Sequence, residues 1–129
     1  MNFQYIIENT REKIRVETHE RTNPNDGLSG KGVKLDFFIG QDKIGTVSIS
    51  GTDIKRGFVY DLEVFKKYRG NGYGRYIMEY ILKHYDIEGL TVDIDNAVAI
   101  SLYKSLGFKV KKTVDGEKGE KQYWMVIKK

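Results

Sequence analysis

The spacing of apolar positions changes period along this chain. From Val33 to Ser50, VKLDFFIGQDKIGTVSIS, two strand-like runs flank Gly40-Gln41-Asp42, which predicts a hairpin. Gly57 to Val64, GFVYDLEV, sets Val59, Asp61 and Glu63 against Phe58, Tyr60, Leu62 and Val64 and predicts another strand. After KKYRGNGYGR the period lengthens. Ile77, Met78, Ile81, Leu82 and Tyr85 fall on one stripe with Glu79 and Lys83 opposite, the pattern of an amphipathic helix. Leu90 to Ile94 predicts a short strand. Asn96 to Leu106 predicts a second helix with Val98, Ala99, Leu102 and Leu106 as its apolar stripe and Gly107 as its stop. Phe108 to Thr113 and Gln122 to Ile127 read as strands across a charged turn at Asp115-Gly116.

The N-terminal part has two readings. Phe3 to Glu8 has strand character, and Asn9 with Glu12 offers a capping box for a helix. The alternation of Ile14, Val16 and Thr18 favours a second strand instead. Arg21 to Gly32, RTNPNDGLSGKG, strings together Asn-Pro, Asp-Gly and Ser-Gly turn signals. The chain therefore runs from a β-rich half into strand, glycine loop, helix, strand, helix, strand, strand. That order implies a mixed α/β sheet with at least one right-handed crossover.

The chain has 129 residues, enough for one domain and one sizeable core. It is 40% hydrophobic and 31% charged, which argues against both a disordered tail and a membrane protein. No stretch approaches the run of about 20 apolar residues that spans a bilayer. The start, MNFQYIIENTREK, lacks a basic segment followed by an apolar one, so no signal peptide is expected. The absence of cysteine excludes disulfides, a thiol nucleophile and cysteine-based metal sites. His19 has no identifiable partner and His84 sits near a helix end, so a multi-histidine metal centre is not expected. Lys and Arg number 22 against 18 Asp and Glu, a net charge of +4, with both signs interleaved. Nucleic-acid binders concentrate positive charge in a patch or arm, so the balance suggests at most a preference for anionic ligands such as phosphates.

Arg69-Gly70-Asn71-Gly72-Tyr73-Gly74-Arg75 lies directly between a predicted strand and a predicted helix. At a helix N-terminus several N–H groups lack partners, and with the helix dipole they form an anion site. Glycines permit positive φ and close approach of a phosphate, and the two arginines can add charged hydrogen bonds. The same residues also suit a plain strand-to-helix turn. No GK[ST] follows, and no third glycine stands at the dinucleotide offset, so neither a P-loop nor a dinucleotide fingerprint is present. On the second helix Asn96 and Tyr103, seven residues apart, share a face at the border of the apolar stripe. Separately they read as an N-cap and an amphipathic boundary tyrosine.

Together these segments resemble the GNAT superfamily of acyl-CoA-dependent N-acetyltransferases. LEVFKKYRGNGYGRYIMEYIL, Leu62 to Leu82, is similar to the family's motif A, a strand followed by Arg69-x-x-Gly72-x-Gly74. LTVDIDNAVAISLYKSLGF, Leu90 to Phe108, is similar to its motif B. The resemblance implies one GNAT-like domain over residues 1–129, with a mixed, mostly antiparallel sheet of about six or seven strands. It also implies a parallel splayed pair in the middle, helices on both faces and a reduced N-terminal helical part. The activity implied is direct transfer of an acetyl group from acetyl-CoA to an amine of a small molecule or protein. The alternative is a GNAT-fold acyl-CoA-binding module with little or no catalysis. A cytoplasmic monomer or homodimer, with no nucleic-acid or membrane partner and no metal, is expected.

Carried over by position, the backbones of Leu62 and Val64 would pair with the pantetheine arm. The amides of Gly70, Asn71, Gly72, Tyr73, Gly74 and Arg75, flanked by Arg69, would hold the pyrophosphate. Asn96 would bind the pantetheine or the acyl end, and Tyr103 would approach the thioester sulfur. The N–H of Val64 is a candidate oxyanion donor. Where many members place a strand glutamate, this chain has Phe58 and Tyr60. Glu63 is then the nearest candidate base, with Asp61 and Asp93 behind it; Asp61 and Glu63 are out of phase unless a bulge re-aims them. Tyr60, Tyr123 and Trp124 are candidates for an acceptor cleft or for the core.

Overall fold

The computed structural model describes residues 2–7, 12–22, 31–52 and 56–128. Eight strands form one sheet: β1 (Asn2–Ile7), β2 (Glu12–Thr22), β3 (Lys31–Ile39), β4 (Asp42–Ser50), β5 (Gly57–Val64), β6 (Ile87–Asp93), β7 (Phe108–Asp115) and β8 (Lys121–Ile127). Helix α1 (Tyr73–His84) joins β5 to β6, and α2 (Ala97–Ser105) joins β6 to β7. The spatial order is β1-β2-β3-β4-β5-β6-β8-β7. All neighbours are antiparallel except β5 and β6, which are parallel.

The N-terminal ambiguity resolves to strands, since β1 pairs with β2 from Asn2 opposite Glu17 to Ile7 opposite Glu12. The proposed cap at Asn9 lies outside the described residues. So does most of the turn-rich segment, although Arg21-Thr22 and Lys31-Gly32 at its ends are strand. No α-helix precedes α1 among the described residues, in keeping with a reduced N-terminal helical part.

Register fixes which side chains share a face. Val16 lies opposite Phe37, Phe37 opposite Gly45, Val33 opposite Ile49, Ile49 opposite Val59, Val59 beside Leu90, and Leu90 opposite Met125. Apart from Gly45, these residues belong to one buried core. Helix α1 covers it with Ile77, Met78, Tyr80 and Ile81, and the Tyr80 ring meets Phe37 edge-on at 5.7 Å. Helix α2 inserts Tyr103, which meets Phe108 at 6.0 Å. Both parallel crossovers, β5 to β6 and β6 to β7, advance in one direction across the sheet, so right-handedness puts both helices on the same side. The sheet is thus mixed and mostly antiparallel with one parallel pair inside it, as expected, and has eight strands.

The opposite face is more polar. Its buried Asp36 accepts from Thr46 Oγ1 at 2.9 Å and is flanked by Lys43 Nζ at 3.0 Å and His19 Nε2 at 3.1 Å. Burial pulls this carboxyl's pKa up. The Lys43 and Thr46 hydrogen bonds, with the Lys43 and Lys34 charges, more than offset that and hold it below the usual range.

Phe37→Ala would leave a cavity between β3 and α1 and is expected to cost about 3–5 kcal/mol. Lys34→Ala, on the other face, is expected to change stability by less than about 0.5 kcal/mol. Urea titrations followed by far-UV circular dichroism measure both, and similar losses would contradict this assignment of faces.

Candidate functional site

The pairing of β5 with β6 stops early. Gly57, Phe58 and Val59 pair with Ile87, Gly89 and Leu90, and no later residue of β5 meets β6. Beyond Val59 the two parallel strands separate. The gap opens into a cleft of ≈ 900 Å³ whose walls include Leu62, Val64, Thr91, Val92, Asn96, Leu102 and Tyr103, with the glycine loop at one end.

A bulge in β5 helps shape this gap. Thr46 of β4 lies opposite Glu63 and Ser48 opposite Tyr60, so Asp61 and Leu62 together face the single residue Val47. Asp61 takes φ +52°, a left-handed value that Asp tolerates better than most residues. The extra residue reverses the phase of the strand. Leu62 and Val64 turn to the face of Val59 and pack on the core, whereas Glu63 turns to the face of Tyr60 and Thr46. The uninterrupted alternation expected from the sequence is therefore broken at Asp61.

The backbone follows the same logic. Phe65 N–H donates to Ile44 C=O at 2.9 Å, which makes the preceding pair, Val64 and Gly45, the type whose amide groups point away from each other. The N–H and C=O of Val64 therefore turn toward the gap. Its carbonyl accepts from Arg69 Nε at 2.7 Å, leaving the N–H as Val64's contribution to the cleft.

The loop after β5 makes a short 3-10 turn at Lys66–Tyr68 and then enters α1. Gly70 and Gly72 have φ +82° and +81°, and a Cβ at Gly70 would meet nothing within 4 Å. These glycines are needed for backbone sign, not for space. Asn71 braces the loop from within, donating to the carbonyls of Tyr68 at 3.1 Å and Arg69 at 3.3 Å. Tyr73 is buried at the first turn of α1, and a Cβ added at Gly74 would lie 3.5 Å from the Leu102 side chain of α2. Arg75 Nη2 donates to Ser105 Oγ at 2.6 Å, and Ser105 donates to Leu102 C=O at 2.6 Å. A cation is thereby fixed between the start of α1 and the end of α2; the C-terminal dipole of α2 favours the guanidinium, and the N-terminal dipole of α1 favours an anion beside it.

Asn96 is the N-cap of α2, its Oδ1 accepting from Ala99 N–H at 3.2 Å. Its amide N–H groups are what remain for the cleft. Tyr103 is the one fully buried residue of α2, only 4% exposed, not a boundary side chain as expected. Desolvation pushes its hydroxyl pKa up to about 12. Val98, expected in the apolar stripe, is instead 84% exposed at the cleft mouth, because α2 turns its first turn to the gap.

Three carboxylates line the opening. Asp61 is exposed in the bulge, Glu63 has a 56% exposed side chain 4.0 Å from Arg69, and Asp93 accepts from Gln122 at 2.9 Å. The cleft is lined by every residue expected for acetyl-CoA and catalysis except Asn71, which braces the loop instead; of the acceptor-cleft candidates, Tyr60, Tyr123 and Trp124, none lines it, and Tyr123 packs against the core. The sequence reading missed Ser105, Thr91 and Gln122. Asp93 was already a candidate base, whereas Thr91 and Gln122 lay within predicted strands with no signal of their own. Among the described residues no group of three or more His, Cys, Asp or Glu is placed to hold a metal, and no helix is long and apolar enough to cross a membrane.

The profile of the Acetyltransferase (GNAT) family matches residues 5–108. No curated protein matches the chain. Among solved structures, the chain is similar to the ribosomal-protein-S18-alanine N-acetyltransferase from Escherichia coli at TM-score 0.65 and 15% identity, over 86% of this chain and 93% of that one. It is similar to Ard1 from Thermoplasma volcanium at TM-score 0.63 and 19% identity, over 74% of this chain and 71% of the other. It is also similar to Naa50 of Arabidopsis thaliana, solved with a bisubstrate analogue, CoA-Ac-MVNAL, at TM-score 0.60 and 22% identity, over 74% and 72%. These likenesses are likenesses of fold.

The burial of Tyr103 has a pH signature. Its folded pKa of about 12 exceeds the reference value of 10.0, so its contribution is intact below pH 10 and is lost as pH rises toward 12. The loss approaches about 3 kcal/mol. Tyr80 and Tyr85 are shifted the same way by burial, so Tyr103→Phe is expected to flatten the alkaline fall in urea midpoint without abolishing it. An unchanged slope would mean that the hydroxyl is hydrated.

Proposed function

The chain belongs to the acetyltransferase (GNAT) family, and from that premise we propose that it transfers an acetyl group from acetyl-CoA to an amine by direct attack. The observation that carries this reading is the early end of β5–β6 pairing, with a positive-φ glycine loop and a helix N-terminus at one end of the cleft. The fit to acetyl-CoA is chemical. An extended amide-bearing arm matches strand-edge groups at Leu62 and Val64. A pyrophosphate matches the N–H groups of Gly70 to Arg75 and the cations of Arg69 and Arg75. The thioester supplies the acyl group when bound.

The roles of the side chains follow. Asn96, tied as an N-cap, offers its amide N–H groups to the pantetheine. The N–H of Val64 stabilises developing negative charge on the carbonyl oxygen, and such donors are typically worth about 10²–10³ in rate. Tyr103 sits by the leaving sulfur. With a pKa of about 12 against about 8.5 for a thiol, full proton transfer is uphill by about 5 kcal/mol. Tyr103 therefore works by hydrogen bonding to the departing thiolate. Glu63 takes the ammonium proton, with Asp61 and Asp93 helping to draw the cationic amine to the opening. No cysteine exists in the chain, so an acyl-cysteine intermediate plays no part.

Two variants test the assignment. Gly72→Val forces a β-branched residue to φ +81°, at about 1–3 kcal/mol, while its Cβ meets nothing closer than Tyr76 at 3.8 Å. It should fold by circular dichroism and lose at least about tenfold in acetyl-CoA affinity by calorimetry; unchanged affinity removes the loop from the site. Tyr103→Phe should lower kcat about tenfold to hundredfold with acetyl-CoA affinity retained. Thiol release measured over a broad amine panel checks this. Binding of acetyl-CoA without thiol release for any amine would establish the non-catalytic binding module instead.

A further inference from the structure

The sheet face opposite the helices holds a strip that none of these roles uses. Trp124 lies across from Thr91 of β6 and Lys112 of β7, with Phe58 edge-on at 6.2 Å. Consecutive residues of a regular strand point to opposite faces. The register shift between Val110 and Lys112 breaks that rule, and both Lys111 and Lys112 reach the one indole, their Nζ atoms 4.8 and 5.1 Å from its centre. Neither lysine has a carboxylate within ion-pair distance among the described residues. Glu88, which feels the charge of Lys111, is already held by Arg56 through two hydrogen bonds of 3.0 and 2.8 Å. The indole Nε1 is buried without an acceptor. Two like charges over one ring, with that ring's own donor unsatisfied, is a poor arrangement for stability alone.

The strip adjoins the cleft. Thr91, opposite Trp124, lines the cleft itself, as does Gln122, two residues along β8 and about 7 Å away. Carboxylates and unpaired ammonium groups therefore stand side by side: Asp61, Glu63 and Asp93 at the opening, Lys111 and Lys112 on the strip. The first set draws a cationic amine, and the second set an anion. We infer that Trp124, Lys111 and Lys112 form a second acceptor subsite and that the acceptor is an acidic peptide. Its terminal amine enters the cleft, and a carboxylate at its second or third residue meets the lysines over the indole. The spacing follows from about 3.4 Å per extended residue. This inference rests on the acetyl-transfer reading for the amine, but the strip's own ligand preference does not depend on catalysis.

Trp124 is the only tryptophan of the chain, so its fluorescence reports the strip directly. The test titrates the full chain with two N-terminally blocked peptides, acetyl-Ala-Asp-Glu-Phe amide and acetyl-Ala-Lys-Arg-Phe amide, and assays thiol release with their unblocked forms. The acidic peptide should perturb the emission and bind at least about tenfold more tightly than the basic one, and the preference should shrink as salt rises. Lys111→Glu with Lys112→Glu should reverse it, and Lys111→Arg with Lys112→Arg should retain it. Equal binding of both peptides, indifference to charge reversal, or a preference for free glutamate over the acidic peptide overturns the inference. Acidic-peptide binding at Trp124 with no thiol release from any amine overturns the acetyl-transfer reading and leaves the subsite standing.

Discussion

Everything at the site depends on one failure of hydrogen bonding between two parallel strands. β5 and β6 pair through Val59 and Leu90 and then diverge. A sheet interior normally satisfies its amide groups within the ladder, and each group left unpaired out of water costs about 1–3 kcal/mol. Here the separated ends keep their amide groups at a water-accessible gap, so the cost is small in the free protein and the groups stay available. The bulge at Asp61 sets the phase of what they present. Without it Glu63 would sit on the core side and Val64 on the other. With it, two apolar side chains anchor the strand to the core while a carboxylate reaches the open face.

The two ends of the cleft are held by different means. At the loop end, local geometry dominates: two positive-φ glycines, the Asn71 brace, and Arg75 tied to Ser105. At the other, burial dominates. Tyr103 is fixed by packing against Phe108, and the same packing raises its pKa and keeps it a neutral hydrogen-bond donor at any physiological pH. A donor that cannot ionise suits stabilisation of developing charge better than outright proton delivery. Arg69 links the loop to the strand, since its Nε closes the Val64 carbonyl while its Nη2 lies 4.0 Å from the Glu63 carboxylate.

Features written in local chemistry were legible in the sequence. Gly57 to Val64 is the strand that its alternation predicts, and α2 runs between the Asn96 cap and Gly107, which takes φ +103°. The resemblance to the family carried the splay and the loop, and the described geometry has both. What depends on long-range register was not legible. No composition signal marks Asp61 as the doubled residue of a bulge, because its left-handed backbone follows from how β4 pairs with β5. Val98 fits an apolar stripe by spacing, yet tertiary placement exposes it, since the neighbouring side of α2 is an opening rather than a sheet. Ser105 was invisible because its partner, Arg75, is thirty residues away in sequence.

The placement of both helices on one side follows from handedness and has a consequence for recognition. Two right-handed crossovers moving the same way across the sheet must stack α1 and α2 on one face. The other face then has only its own side chains to manage its exposure. Near β2 to β4 it does so with a charge network centred on Asp36, in which acid and base are matched: Lys43 and His19 within about 3.1 Å, and Thr46 donating. Beside Trp124 the matching stops, for among the described residues Lys111 and Lys112 have no carboxylate within ion-pair distance and lie over the indole instead. A face that neutralises itself in one half and leaves cations on an aromatic surface in the other is asymmetric in what it will attract. Since the separated strands open between those halves, that asymmetry gives an incoming chain a direction.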